Sequence, residues 1–229
     1  MIDPGFFLEI IPKLLSGLPM TLQLSALSVL LGFVLALALA LAQQGDRAFI
    51  VWPIRAFVSV FRGTPLLVQI FLIYYGLGQF RPNLQAIGLW WMFREPYWCA
   101  IIALTLNTAA YSSEILRGAI RNVPGGLSEA ALALGLTRVQ NLRLVVLPLA
   151  LRQALPAYSN EIILIVKGTS LASIITLTEV TGIAQELISE TYRAMEVFVA
   201  AGAIYLLLNF LIVRALELLE VRLTPYRKR

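Results

Sequence analysis

The longest uncharged apolar run in this sequence of 229 residues extends from residue 18 to residue 42. The hydrocarbon core of a bilayer is about 30 Å thick, so a helix needs about 20 mostly apolar residues to cross it. The run is too long for the apolar part of a signal peptide, and no cluster of Lys or Arg precedes it. We therefore expect residues 18–42 to form a retained membrane-spanning helix.

The composition agrees with a chain that lies largely in lipid, because 59% of the residues are hydrophobic and only 14% are charged. These values exclude a disordered chain and an ordinary soluble enzyme. The single cysteine, Cys99, permits neither an internal disulfide nor a cysteine metal cluster. There is no histidine, which excludes Ser-His and Cys-His nucleophile pairs and argues against a membrane enzyme.

Apolar stretches predict an all-α protein with about five spanning helices. Arg62-Gly63-Thr64-Pro65 interrupts the second stretch, so its lipid-spanning part is expected to begin near Pro65, which suits a helix start. An odd number of spans places the two termini on opposite sides of the membrane. The five stretches are about 18–42, 52–79, 97–116, 156–175 and 197–219.

The distribution of Lys and Arg predicts the orientation, because cytoplasmic loops carry the excess of positive charge. With the N-terminus outside and the C-terminus in the cytoplasm, four basic residues lie outside and thirteen lie inside. The net charge of +5 then reflects a gradient across the bilayer and gives no reason to expect nucleic-acid binding. The cytoplasmic set is Arg47, Arg55, Arg62, Arg117, Arg121, Arg138, Arg143, Arg152, Arg214, Arg222, Arg227, Lys228 and Arg229.

The loop between the third and fourth spans contains a short helix, a sharp turn and a second helix. Ser128 is expected to cap the first helix with Glu129 in its first turn, and Gly135 to end it in a left-handed turn. Pro148 is expected to mark a later break. An exposed knob of small and apolar side chains suits a groove on another protein. The alternative is an ordinary interfacial helix-turn-helix.

The loop also resembles a known family motif. The loop contains Glu129-Ala130-Ala131, then Gly135 after three intervening residues, and Leu147-Pro148 further on. This pattern resembles the EAA loop of ABC importer membrane subunits. The one departure is Val145, where that family usually has Ile. Further stretches resemble the family's branch for polar amino acids, namely the segments at residues 62–69, 106–115 and 155–162.

This resemblance implies a type I ABC permease fold, with one domain over residues 1–229 that includes a coupling loop at about 122–150. It implies a bacterial inner-membrane importer for arginine, lysine, histidine, ornithine or opines. The implied partners are a second permease (a copy or a relative), two ATPase subunits that bind ATP and Mg²⁺, a periplasmic solute-binding protein and membrane lipids. No cofactor or metal is expected on this non-catalytic chain. The implied ATPase contacts are Glu129, Ala130, Ala131, Gly135, Leu147 and Pro148.

Polar residues inside the spans are candidates for contact with a substrate, since ionisable groups in lipid usually face a cavity or a partner. Glu161, beside Tyr158, is expected to pair with a cationic group of the substrate, while Asn160 and Ser170 hydrogen-bond its polar atoms. Backbone N–H groups or Lys167 are expected to bind its carboxylate. Alternatively, Glu161 pairs with Arg152 or Arg117.

A second group of candidates shares one face of the third span: Asn107, Tyr111 and Glu114, at steps of four and three. These residues line a path, or they form interhelical hydrogen bonds and a packing ion pair. The Arg62–Pro65 break is expected to shape the helix entrance.

Residues 176–192 are expected to form an amphipathic helix outside the membrane. Its charged residues Glu179, Glu186 and Glu190 form a solvated face, or alternatively a docking or gating surface.

The sequence is also compatible with one further class of function. A secondary transporter or channel for small polar solutes would also carry polar residues in its spans. Inverted repeats and discontinuous helices would be expected there, which an odd count of five spans with a large cytoplasmic loop disfavours. Uptake driven by an ion gradient without an ATPase would identify that class.

Overall fold

The computed structural model describes residues 4–45 and 47–223, and those residues form helices and connecting turns with no β-strand. Three residues of the predicted cytoplasmic set lie outside the described residues: Arg227, Lys228 and Arg229. The chain begins with helix α1 (Pro4–Leu15) and helix α2 (Leu18–Ala42). The bounds of α2 match the apolar run, so this prediction is confirmed.

The second apolar stretch is broken where the sequence predicts. Helix α3 (Ala48–Gly63) is followed by the extended residue Thr64. Helix α4 (Leu66–Phe71) then continues into a π-helical turn over Leu72–Gly76. The two parts are bent by 110° at the break. The helical residues continue to Gly78, one residue before the predicted end. The connection that follows contains two short helices, α5 (Arg81–Ala86) and α6 (Trp90–Phe93).

Helix α7 (Pro96–Arg121) packs along α2 and forms the centre of the bundle. It extends five residues past its predicted end. Small residues at four-residue spacing let the two backbones approach closely. A Cβ built on Gly32 would lie 2.7 Å from the Cβ and Cγ2 atoms of Thr108. The small residues buried on this face of α2 are Ser28, Gly32, Ala36 and Ala40.

The loop after α7 contains helix α8 (Gly125–Ala133), which starts earlier than expected. Pro124, in an extended conformation, precedes the first helical residue. Ser128 therefore lies inside the helix, and the prediction that it caps α8 is wrong. Gly135 has a φ of +87°, so the predicted left-handed turn is confirmed.

A long, nearly continuous helical segment follows this turn. It comprises helix α9 (Arg138–Asn141), a π-helical turn over Leu142–Val146 and helix α10 (Leu147–Gly168). The expected break at Pro148 and the expected start near Pro156 are both wrong. Pro148 lies in the first turn of α10 directly after the π-helical turn, where a wider helix accommodates a missing N–H group. Pro156 lies inside α10.

The segment ends in a 3₁₀ helix over Thr169–Ile175, and its last residue is the predicted end of the fourth stretch. Helix α11 (Val180–Thr191) and helix α12 (Ala194–Leu223) complete the described chain. The predicted apolar stripe of α11 is buried against α1 and α12 through Val180, Ala184 and Leu187. Within residues 4–45 and 47–223, three helices are long and apolar enough to cross a membrane, and up to five spans result if each of two bent pairs counts as one.

Candidate functional site

The α8 loop presents apolar side chains to solvent at one end of the bundle. Glu129, Ala130 and Gly135 are exposed, and Leu134 is 85% exposed at the tip of the turn. Ala131 is buried on the inner side of α8. Leu147 is half-buried and Pro148 is exposed on the first turn of α10. The loop therefore offers a compact apolar surface with one carboxylate, as the sequence predicts.

Two polar contacts hold this surface in shape. Thr137 and Gln140 form a reciprocal capping pair at the start of α9, with the Thr137 N–H donating to Gln140 Oε1 at 2.8 Å. Asn141 donates a hydrogen bond to the Ser128 hydroxyl, which joins α9 to α8. The two helices are therefore joined by this contact at the base of the exposed loop.

Glu161 is the buried carboxylate of α10, with only 5% of its surface exposed. It forms neither a hydrogen bond nor an ion pair with any of the described residues, so neither Arg152 nor Arg117 neutralises it. Tyr158, one turn earlier, donates a hydrogen bond of 3.2 Å to the Val29 carbonyl. The charged form of a buried carboxylate without a direct partner is costly, and contact with a cation offsets part of that cost.

The other residues proposed beside Glu161 point elsewhere within this chain. Asn160 is exposed and lines a cavity of about 330 Å³ between α10 and α12, which Ser159 and Glu217 also line. The Ser170 hydroxyl donates to the Lys167 carbonyl at 2.7 Å, and the Lys167 side chain is exposed. The structure therefore does not gather these residues around Glu161 in one chain.

The predicted polar face of α7 is directed towards α3 and α4. The Asn107 amide donates to Gln69 Oε1 at 2.9 Å, and the Tyr111 hydroxyl donates to the Arg62 carbonyl at 3.3 Å. Glu114 is held by both nitrogens of the Arg117 fork, one turn along the same helix. Asn107 and Tyr111 therefore join α7 to α4 and to the end of α3, whereas the Glu114–Arg117 pair lies within α7.

Sequence reasoning missed two residues that organise the bundle. Gln69 Nε2 donates to the Phe61 carbonyl at 2.7 Å and to both oxygens of Thr64 at 3.0 Å. Glu179 is fully buried, where the sequence predicts a solvated face, while Glu186 and Glu190 are exposed.

Glu179 is buried because its carboxylate is satisfied inside the protein. Its Oε1 accepts from the Gly182 N–H at 2.9 Å, which caps α11, and its Oε2 accepts from the Tyr205 hydroxyl at 2.5 Å. Two signals were available in the sequence: Gln69 is a polar residue within an apolar stretch, and Glu179 precedes a predicted helix. Neither signal identifies the hydrogen-bond partner, because the partners across the bundle are distant in sequence.

Comparison with known proteins gives a likeness along nearly the whole chain. A family model described as "binding-protein-dependent transport system inner membrane component" matches residues 28–225. The octopine transport system permease protein OccM of Rhizobium radiobacter is 54% identical over 226 residues, which cover 99% of this chain and 92% of that protein. The arginine ABC transporter permease protein ArtM of Escherichia coli (strain K12) is 44% identical over 222 residues, or 96% and 99% of the two chains.

A solved structure gives the same likeness in three dimensions. The chain matches a crystal structure of an amino acid ABC transporter with histidines at a TM-score of 0.86 and 35% identity. The match covers 97% of this chain and 99% of the solved one. It therefore includes the bent helices and the exposed loop as well as the long spans.

Proposed function

The chain belongs to the family of binding-protein-dependent transport system inner membrane components, and we infer from this premise that it is the membrane permease of an ATP-driven amino-acid importer. Within that function, we propose five membrane spans with the N-terminus outside and the C-terminus in the cytoplasm. The positive-inside pattern supports this orientation, because it places the α8 loop in the cytoplasm.

The proposed assembly is supported by the family to which the chain belongs and by the exposed α8 surface. Two partner ATPase subunits bind ATP and Mg²⁺ and receive the α8 loop. A second permease, identical or related, completes the pathway, and a solute-binding protein delivers the cargo from outside. This chain contributes translocation without catalysis.

We propose that the cargo is an amino acid with a guanidinium or similar cationic group, of the arginine and opine class. The relatives named for octopine and arginine transport support this class. The observation that carries the proposal is Glu161, a buried carboxylate without a direct partner. A cationic side chain of the cargo would complete it, and the exposed Asn160 and Lys167 serve the cargo's polar groups where the second permease closes the pathway.

The experiment is arginine-stimulated ATP hydrolysis by the assembled complex with Glu161→Gln. The arginine concentration that gives half-maximal stimulation should rise at least about tenfold, because a hydrogen bond to a charged group contributes about 1.5–3 kcal/mol. Glu9→Gln is the matched control, since Glu9 is an exposed carboxylate paired with Lys13 on α1. Unchanged stimulation and apparent affinity in the Glu161 variant would exclude direct contact with the cargo.

A further inference from the structure

A polar cavity of about 530 Å³ lies between α3 and the final turns of α2 and α7, at the end of the bundle that carries the α8 loop. Arg55, Arg62 and Arg117 line it, with Glu114 as the one carboxylate among its described lining residues. Arg117 already holds Glu114. Arg55 and Arg62 add two positive charges, and neither lies within ion-pair distance of a carboxylate among the described residues.

Gln43 gives independent evidence that the cavity is built for a ligand. It lines the cavity and is only 5% exposed. Both its Nε2 and its Oε1 are buried without a hydrogen-bond partner among the described residues. Leaving a buried amide unsatisfied costs about 1–3 kcal/mol. A ligand that accepts a hydrogen bond from Nε2 would recover part of this cost.

The helix that forms one wall of the cavity has the pattern of a helix at the membrane surface. The 110° bend turns α3 away from the direction of α4, which contacts the spanning helix α7. Phe49 and Trp52 are each 74% exposed, and at 100° per residue they lie on the face adjacent to Arg55. Tryptophan favours the membrane–water interface, beside lipid headgroups.

We propose that this cavity binds a phosphate group, supplied by the headgroup of an anionic phospholipid. Guanidinium groups bind phosphate oxygens through paired N–H donors, and the Gln43 amide adds a neutral donor. The acyl chains lie along the exposed aromatic residues of α3. Basic pockets between helices near the membrane surface are suited to such headgroups. The bound headgroup holds α3 against α7, next to the break between α3 and α4 that the hydrogen bonds of Gln69 bridge.

The test uses the complete complex with its ATPase subunits, washed in detergent, with native mass spectrometry to count retained phosphatidylglycerol. Arg55→Gln should lower retention about fivefold, the contribution of one basic residue near an anionic surface. Arg222→Gln, which removes an exposed charge on α12 away from the cavity, is the matched control and should leave retention unchanged. Equal retention in the wild type and the Arg55 variant overturns the lipid assignment.

Two further arms separate the ligand from its source. Gln43→Leu should lower phosphatidylglycerol retention and yet raise the unfolding temperature of the lipid-free complex, because it removes an unsatisfied amide. In phosphatidylcholine nanodiscs, calorimetry with inorganic phosphate should detect no binding. Phosphate binding that Arg55→Gln abolishes would assign the phosphate site to a soluble ligand instead. If neither lipid retention nor phosphate binding changes with Arg55→Gln, the proposed site is wrong.

Discussion

The Asn107 side chain donates a hydrogen bond of 2.9 Å to Oε1 of Gln69, and this bond joins the middle of α7 to α4. The Nε2 atom of the same Gln69 donates to both oxygens of Thr64, the residue at the break between α3 and α4. One amide therefore fixes both the bend between α3 and α4 and the contact of α4 with α7. The bend sets the direction of α3, which carries Arg55 and Arg62 beside α7.

Replacing Gln69 with Leu should destabilise the permease by about 1–3 kcal/mol, because the Phe61 and Thr64 carbonyls and the Asn107 amide lose their partner. Thermal unfolding of the detergent-solubilised complex measures the loss. In a double-mutant cycle with Asn107→Leu, the coupling should be about 0.6–1.7 kcal/mol, as for polar contacts between membrane helices. Gln153→Leu, on the exposed face of α10, is the control. Additive effects of the two substitutions would contradict this coupling.

The contact of α2 with α7 predicts a clear difference between two glycines. Gly32→Ala places a Cβ 2.7 Å from Thr108, so the helices must separate, at a cost of about 1–3 kcal/mol. Gly202→Ala adds the same methyl group in α12, where no atom lies within 4 Å. It should be neutral or stabilising by up to about 1 kcal/mol from helix propensity. Unfolding temperatures compare the two variants, and an equal effect would argue against close packing at Gly32.

The left-handed conformation of Gly135 predicts a defect in coupling. A side chain at a φ of +87° costs about 1–2 kcal/mol, so Gly135→Ala should shift the α8–α9 turn. ATP hydrolysis should then continue with less transport per ATP, and Glu129→Ala on the exposed loop should act in the same direction. Gly126→Ala, with an ordinary φ and no atom within 4 Å, is the control. Transport and hydrolysis are measured in proteoliposomes, and unchanged transport in both loop variants would disprove the coupling role.

Much of the fold follows from the sequence where local signals dominate. The apolar run of α2, its polar end at Gln43 and the Gly-Thr-Pro break after α3 are each encoded within a few residues. The left-handed turn at Gly135 is equally local. These elements were predictable because burial in lipid and backbone sterics act on short segments.

The remaining differences arise from contacts between distant residues. Pro148 and Pro156 do not break the α10 segment, because the preceding π-helical turn and the packed bundle accommodate them. Tyr158 contacts Val29, 129 residues away, and Gln69 contacts Asn107, 38 residues away. The burial of Glu179 depends on Tyr205 in α12. A single sequence contains no signal for these pairings, so the residues around Glu161 could be named but not positioned.

The most direct test of the account is uptake of labelled arginine and octopine by the complete complex in proteoliposomes with its solute-binding protein. The account predicts uptake that requires ATP and the binding protein, that persists after ion gradients are collapsed, and that Glu161→Gln weakens. Uptake driven by an ion gradient without ATP, as in a secondary transporter, would contradict it.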